Sequence, residues 1–403
     1  MKSILFISSE ILSKIIPFLF LPYLTYNLGA KGMGELSLFQ MYWAALLPIF
    51  NMSFDTCLNR YYIRYGARNY SSVLTVIFIF IFITCLIFSV VFYALNLSII
   101  FFLALYCAVF NALYIILLSA LQIRKLFKEY AIYQLANSVV LVLINYIIFE
   151  FYCASVDGRA LSVIIAFFLS CLVVLIHVKS KLNFKWVSLR ILKFNYIFIF
   201  SFSSPLLING MSNFVRNYID RYFINMHYAI EDLGVYSLAF QLSGIGILII
   251  ASLNKMLVPD VYKRMKVRKF RVLPSIKFNM IVLVATLSLL IIAKELPGQF
   301  YGFIFGRDFV SLGDFISPLV LFSMMHIYYF YFTNVLMYIG KTKVIMYSTL
   351  CSMLFQIPFA MIISPISLDS LVYSPFLSLS FSVLLLIYFI KVELRIGGHL
   401  ASK

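Results

Sequence analysis

The chain has 403 residues, 63% of them hydrophobic and 12% charged, with a formal net charge of +17. Ordinary soluble domains are roughly 45 to 50% apolar, so this composition excludes one, and with it the nucleic-acid partner that so basic a domain would suggest. The six cysteines (Cys57, Cys85, Cys107, Cys153, Cys171 and Cys351) fall mostly in apolar runs with no close pair and no histidine at ligand spacing, so neither a disulfide framework nor a metal or cofactor site is expected.

A window of about 20 apolar residues predicts an all-α integral membrane protein with twelve spans, at roughly 4–26, 36–58, 73–93, 99–121, 131–150, 160–178, 196–224, 235–258, 272–293, 314–338, 344–363 and 370–390. The first reads as a retained span, because Glu10 and Lys14 interrupt its apolar run and no convincing cleavage site follows. On it Glu10, Ser13, Lys14, Pro17 and Thr25 share one helical face, as do Ser37, Gln40, Pro48, Asn51 and Asp55 on the second. The third, sixth and twelfth spans carry little beyond Ser, Thr and Tyr, which predicts lipid-facing or peripheral helices. Arg and Lys concentrate in alternate loops (Arg60 to Arg68, Arg124 to Lys128, Lys179 to Lys193, Lys263 to Arg271, Lys341 and Lys343), and the positive-inside rule then puts both termini in the cytoplasm.

The basic, partly amphipathic stretch Lys179 to Phe194 suits a segment lying in the interface. It divides the chain into lobes 1–180 and 196–403 joined by a linker at 181–195. The seventh span opens the second lobe with a stripe of Pro205, Asn209, Ser212, Asn213, Arg216 and Asp220, and the eighth carries Ser237, Gln241, Gly244, Ser252 and Lys255. An Arg or Asp in hydrocarbon costs about 2.5 to 3.5 kcal/mol on insertion scales, so these stripes must face a bundle interior or a wet cavity. Gly34, Ser37 and Leu38 recur 200 residues later as Gly234, Ser237 and Leu238, at matching places in the topology. Parallel six-span repeats with a substrate cavity bounded by spans 1, 2, 7 and 8 follow from that pattern.

The candidate substrate-binding residues are therefore Lys14, Asn209, Asn213, Arg216, Asp220, Gln241 and Lys255, with no catalytic residue and no metal ligand expected. Cations through the depth of a cavity suit an anionic substrate, Arg216 supplying a forked donor and Asp220 holding its guanidinium in place. Arg221, about 140° away, would instead reach headgroups. Local readings stand beside these. Arg216 with Asp220, and Glu10 with Lys14, are spaced as internal helix pairs. Asp55 and Lys255 can snorkel to the inner interface. His326, in an aromatic run, reads as a core histidine, and Asp308 and Asp314 as residues solvating a turn.

The run Leu28-Gly29-Ala30-Lys31-Gly32-Met33-Gly34-Glu35-Leu36-Ser37 after the first span, Asp220-Arg221-Tyr222-Phe223-Ile224 closing the seventh, and Gly234-Val235-Tyr236-Ser237 beginning the eighth resemble Wzx-type O-antigen flippases of the multidrug/oligosaccharidyl-lipid/polysaccharide exporter superfamily. The resemblance implies two six-helix bundles around a central, cationic cavity in the cell inner membrane. It also implies alternating-access transfer of undecaprenyl-pyrophosphate-linked oligosaccharide from the cytoplasmic to the periplasmic leaflet, with no enzymatic step. Candidate partners are that lipid-linked oligosaccharide, membrane lipids, an O-antigen polymerase and a chain-length regulator. Two rival functions remain: an ion-coupled small-molecule or drug exporter of the same superfamily, for which an anionic lobe is expected, and a membrane-embedded polysaccharide polymerase, which needs a catalytic outer loop.

Overall fold

The computed structural model of the chain describes residues 2–66, 70–181, 189–266 and 274–396. A backbone in hydrocarbon must satisfy its own hydrogen bonds, and long apolar runs do so as helices. In order these are α1 (Lys2–Leu19), α2 (Leu21–Asn51), α3 (Phe54–Tyr65), α4 (Tyr70–Ala94), α5 (Ile99–Ile123), α6 (Phe127–Phe151), α7 (Val156–Lys181), α8 (Leu189–His227), α9 (Ile230–Lys266), α10 (Ile276–Glu295), α11 (Gly298–Phe305), α12 (Leu312–Ile339), α13 (Thr342–Ile363), α14 (Leu368–Leu371) and α15 (Ser374–Ile396), with a 3₁₀ turn at Arg307–Phe309.

Ten of these helices are each long and apolar enough to cross a membrane. The two remaining spans come from α1 to α3. The chain bends by 49° between α1 and α2, and α2 itself is two helical segments meeting at Gly29, whose φ of 63° and ψ of −177° are not helical. Span one thus runs through α1 into the first part of α2, and span two takes the remainder of α2 and α3. The ten single-helix candidates and this bent stretch among the described residues are consistent with the twelve spans that the sequence predicts. Span two is broken again at Met52 and Ser53, both left-handed (φ 38° and 54°), a conformation that costs a non-glycine residue roughly 1 to 2 kcal/mol.

The helices gather into two compact units, Met1–Leu28 with Glu35–Met211, and Gly29–Gly34 with Ser212–Lys403. Of the linker predicted at 181–195, residues 182–188 lie outside the described residues. In the first unit α5 is central, packing against α3, α4, α6 and α7. Ala104, Ala108 and Ala112, four residues apart and fully buried, give it a smooth face for close approach. In the second unit α12 holds that place, packing against α9, α10 and α15, with Phe332, Val335 and Leu336 meeting Val383, Leu386 and Ile390.

Lipid-facing surfaces follow the apolar runs. Ile79, Phe82, Ile83, Leu86, Ile87 and Val90 on α4 are exposed, as are Leu169, Leu172, Val173 and Ile176 on α7, in keeping with the expectation for spans three and six. The twelfth span departs from it. On α15, Ser374, Ser378 and Ser382 are buried at four-residue spacing, and Ser378 donates to the Ser352 carbonyl of α13 at 3.2 Å. A serine row, discounted on composition, is what lets α15 pack closely inside the unit.

Candidate functional site

Membrane-embedded polar side chains concentrate in two places, one per unit. In the first unit they surround a cavity of about 590 Å³. From α1 come Glu10, Ser13, Lys14 and Pro17, and from the first turn of α3 comes Asp55. Past the left-handed pair Met52 and Ser53, α3 starts with Asp55 on the cavity wall. Asn111 and Gln122 on α5 complete one side, eleven residues and so just over three whole turns apart, while Gln134, Asn137 and Ser138 of α6 form the other. Tyr114 and Phe167 add aromatic wall.

Hydrogen bonds between helices fix this shape. Ser138 Oγ donates to the Ser13 carbonyl at 2.7 Å, tying α6 to α1. Ser170 Oγ donates to Asn137 Oδ1 at 2.8 Å, tying α7 to α6, and the Tyr114 hydroxyl donates to the Tyr133 carbonyl at 3.0 Å, tying α5 to α6. Lys14 is exposed along this cavity, and Gln134 Oε1 is buried with no hydrogen-bond partner. Asn111, Gln122, Gln134 and Asn137 do not belong to the stripes singled out in the sequence. Their helical spacing on spans four and five was the available signal.

The second unit uses its polar residues differently. Asp220 of α8 is fully buried, and its carboxylate accepts from the Tyr236 hydroxyl (3.1 Å) on one oxygen and from Ser374 Oγ (2.7 Å) and Gln356 Nε2 (3.3 Å) on the other. Arg216, 4% exposed, donates from Nη2 to Ser352 Oγ at 2.7 Å and lies over the Tyr329 ring, 5.5 Å from its centroid. Gln356 Nε2 also reaches the Arg216 carbonyl at 3.1 Å. Three neutral donors occupy the Asp220 carboxylate, so Asp220 does not clasp the Arg216 guanidinium as expected; Gln356 links the two residues. Helices α8, α9, α13 and α15 are knotted together here. Arg221 is also 2% exposed, stacked on Tyr218 (4.5 Å) and Phe240 (5.4 Å), which removes it from the headgroup position expected of it.

Among the described side chains of the sequence-selected site residues, Arg216 and Asp220 share a hydrogen-bond partner, Gln356. Lys14 stands on the cavity of the first unit. Asn209, Asn213 and Gln241 are half-buried, Asn213 accepting at its carbonyl from Asn217 Nδ2 at 2.8 Å. Lys255 belongs to α9, and its side chain lies outside the described residues. His326 is half-buried, its Nδ1 donating to the Phe322 carbonyl at 2.9 Å.

A third feature lies where α2 breaks. The Ala30 N–H donates to Asp308 Oδ2 at 3.2 Å, so Asp308 caps the second segment of α2 and does not merely solvate a turn. Orphan N–H groups and the positive end of the helix dipole favour a carboxylate there. Just beyond, a Cβ added at Gly34 would collide with the Ile230 carbonyl, and one added at Gly234 with the Ala30 carbonyl.

Solved structures of membrane transporters share this fold. The chain is similar to the inward-closed lipid II flippase MurJ (TM-score 0.71, 14% identity, 97% of this chain and 87% of that one). It is also similar to a Vibrio cholerae MATE transporter, VcmN (TM-score 0.66, 12% identity, 100% and 98%). Over residues 1–264 it matches the model of the polysaccharide biosynthesis protein family. The chain belongs to that family, and the resemblance read from its sequence stands. Two Haemophilus influenzae proteins align along nearly its whole length: an uncharacterized membrane protein (26% identity, 98% of this chain and 96% of that one) and Lsg locus putative protein 1 (26%, 96% and 96%).

Proposed function

We propose that the chain is a flippase carrying a lipid-linked oligosaccharide from the cytoplasmic to the periplasmic leaflet of the cell inner membrane. The cargo is an O-antigen or related unit on undecaprenyl pyrophosphate, the cycle is alternating access, and both termini are cytoplasmic. One observation carries this reading: a polar cavity with an exposed lysine inside the membrane-spanning helices of a polysaccharide-biosynthesis family member. Apolar spans have no reason to keep Lys14, Asn111, Gln122 and Gln134 around open space unless that space is used. The lipid II cargo in the name of the structurally similar MurJ supports the same cargo class. Lys14 is the site residue that the geometry favours most. Asn209, Asn213, Gln241 and Lys255 remain with it as substrate contacts, while Arg216 and Asp220 brace the second unit.

Complementation of a strain lacking the gene tests this. Surface polysaccharide should disappear on deletion and return with the wild-type chain. Unchanged surface polysaccharide in the deletion, together with new sensitivity to small toxic compounds, would favour the exporter reading instead.

A further inference from the structure

We infer that the cavity of the first unit is a saccharide-recognition pocket, which receives sugar rings of the cargo and not its pyrophosphate. This deepens the flippase reading and rests on it. Glu10 and Asp55 bring two carboxylates to the wall and Lys14 one ammonium, a formal balance of −1 that departs from the cationic lining expected from the sequence, matches the anionic lobe expected of an exporter, and opposes an anion. Pyrophosphate offers acceptors only and would have to face both carboxylates and the amide oxygens. A bound metal ion fits no better: the Lys14 ammonium shares the space, and the described residues contain no group of three or more His, Cys, Asp or Glu placed to hold one.

The amides decide the class. Asn111, Gln122 and Gln134 each present a donor and an acceptor, and a sugar hydroxyl both donates and accepts. Gln134 lines the cavity, and its Oε1 has no protein partner, so its amide is not committed to the helix bundle and can turn toward a ligand hydroxyl. The aromatic wall of Tyr114 and Phe167 suits the C–H face of a pyranose ring. A volume of about 590 Å³ lies within the roughly 300 to 1,000 Å³ of small-ligand sites and leaves room for more than one ring.

The chain supplies its own reporter. Trp43 lies edge-on to Phe167 with ring centroids 6.1 Å apart, and the sequence contains only one other tryptophan, Trp186. In purified full-length Trp186→Phe protein, Trp43 emission is titrated with the methyl glycosides of glucose, galactose and N-acetylglucosamine, with potassium pyrophosphate and with sodium chloride. At least one glycoside should give a saturable change, weakened about fivefold to tenfold by Gln134→Leu, as expected for a lost hydrogen bond. Asn111→Ser, a milder change, should weaken it in the same direction, while pyrophosphate and sodium leave the emission unaltered. Saturation by pyrophosphate or sodium, no response to any glycoside, or a glycoside response indifferent to both substitutions would each overturn the assignment. Failure of the flippase reading looks different: the deletion strain would keep its surface polysaccharide whatever Trp43 reports.

Discussion

The polar residues around Lys14 and those around Asp220 are similar in kind and opposite in use. In the first unit, amides, carboxylates and a lysine line open space. In the second, an arginine, an aspartate, a glutamine and serines close on one another, and Asp220 is left with no exposure at all. A buried polar network with its partners in place stiffens a bundle and fixes its register, whereas polar groups held open in the membrane keep their hydrogen-bonding capacity for a ligand. A polar stripe on a spanning helix is thus two different devices, distinguished by what the neighbouring helices present to it.

That contrast can be broken most directly at Asp220. Replacing it by alanine strands the hydroxyls of Tyr236 and Ser374 in a buried place, at a cost of about 1 to 3 kcal/mol for each, and leaves Gln356 with the Arg216 carbonyl as its remaining acceptor. Asp220→Ala should accordingly lower thermal stability in detergent by about 3 kcal/mol or more and deplete the protein from membranes. A stable, abundant Asp220→Ala chain that fails to transport would move the second network into the substrate path.

Lys14→Ala should do the reverse. Membrane abundance and melting temperature stay at wild-type values while surface polysaccharide falls by roughly tenfold, equivalent to about 1.4 kcal/mol. Lys14→Arg should restore part of it. Loss of abundance in Lys14→Ala would erase the distinction between the two regions.

A smaller effect is expected for Arg216→Lys, which keeps the charge but loses the planar group that meets both Ser352 and the Tyr329 ring. Its melting curve should shift by about 1 kcal/mol, and transport per molecule should be unchanged. Arg221→Lys comes last, weakening its contacts with Tyr218 and Phe240 by about 0.5 to 1 kcal/mol, again in the melting curve and not in transport per molecule.

Apolar run length placed the spans, because hydrocarbon leaves the backbone no alternative to helix. It could not place the functional cavity. Periodicity groups Arg216 with Asn209 and Asp220 on one face, but it says nothing of what lies opposite, and Ser352, Gln356 and Ser374 come from helices more than a hundred residues away. The same limitation hid the cavity wall on α5 and α6: uncharged amides attract less notice than an arginine, although Asn111 and Gln122 were already in phase. Serine misled in the other direction. On α15 it looked like neutral filler, yet Ser374 makes a 2.7 Å hydrogen bond to a buried carboxylate. Asp308 was legible as an outer-loop residue, but its capping of Ala30 depends on a fold-back of 278 residues.

The glycines at 34 and 234 bear on how such a chain can change over generations. Gly34 abuts residue 230 and Gly234 abuts residue 30, so moving 34 forward and 230 back by 200 positions turns the first pair into the second. Reciprocity of that form belongs to an isologous contact, the kind that two copies of one protein make across a two-fold axis. Here both copies are stretches of a single polypeptide, and neither position is free to drift by itself. A methyl group gained at 34 has to be answered by the backbone at 230, and one gained at 234 by the backbone at 30, which holds two distant parts of the gene to a shared history.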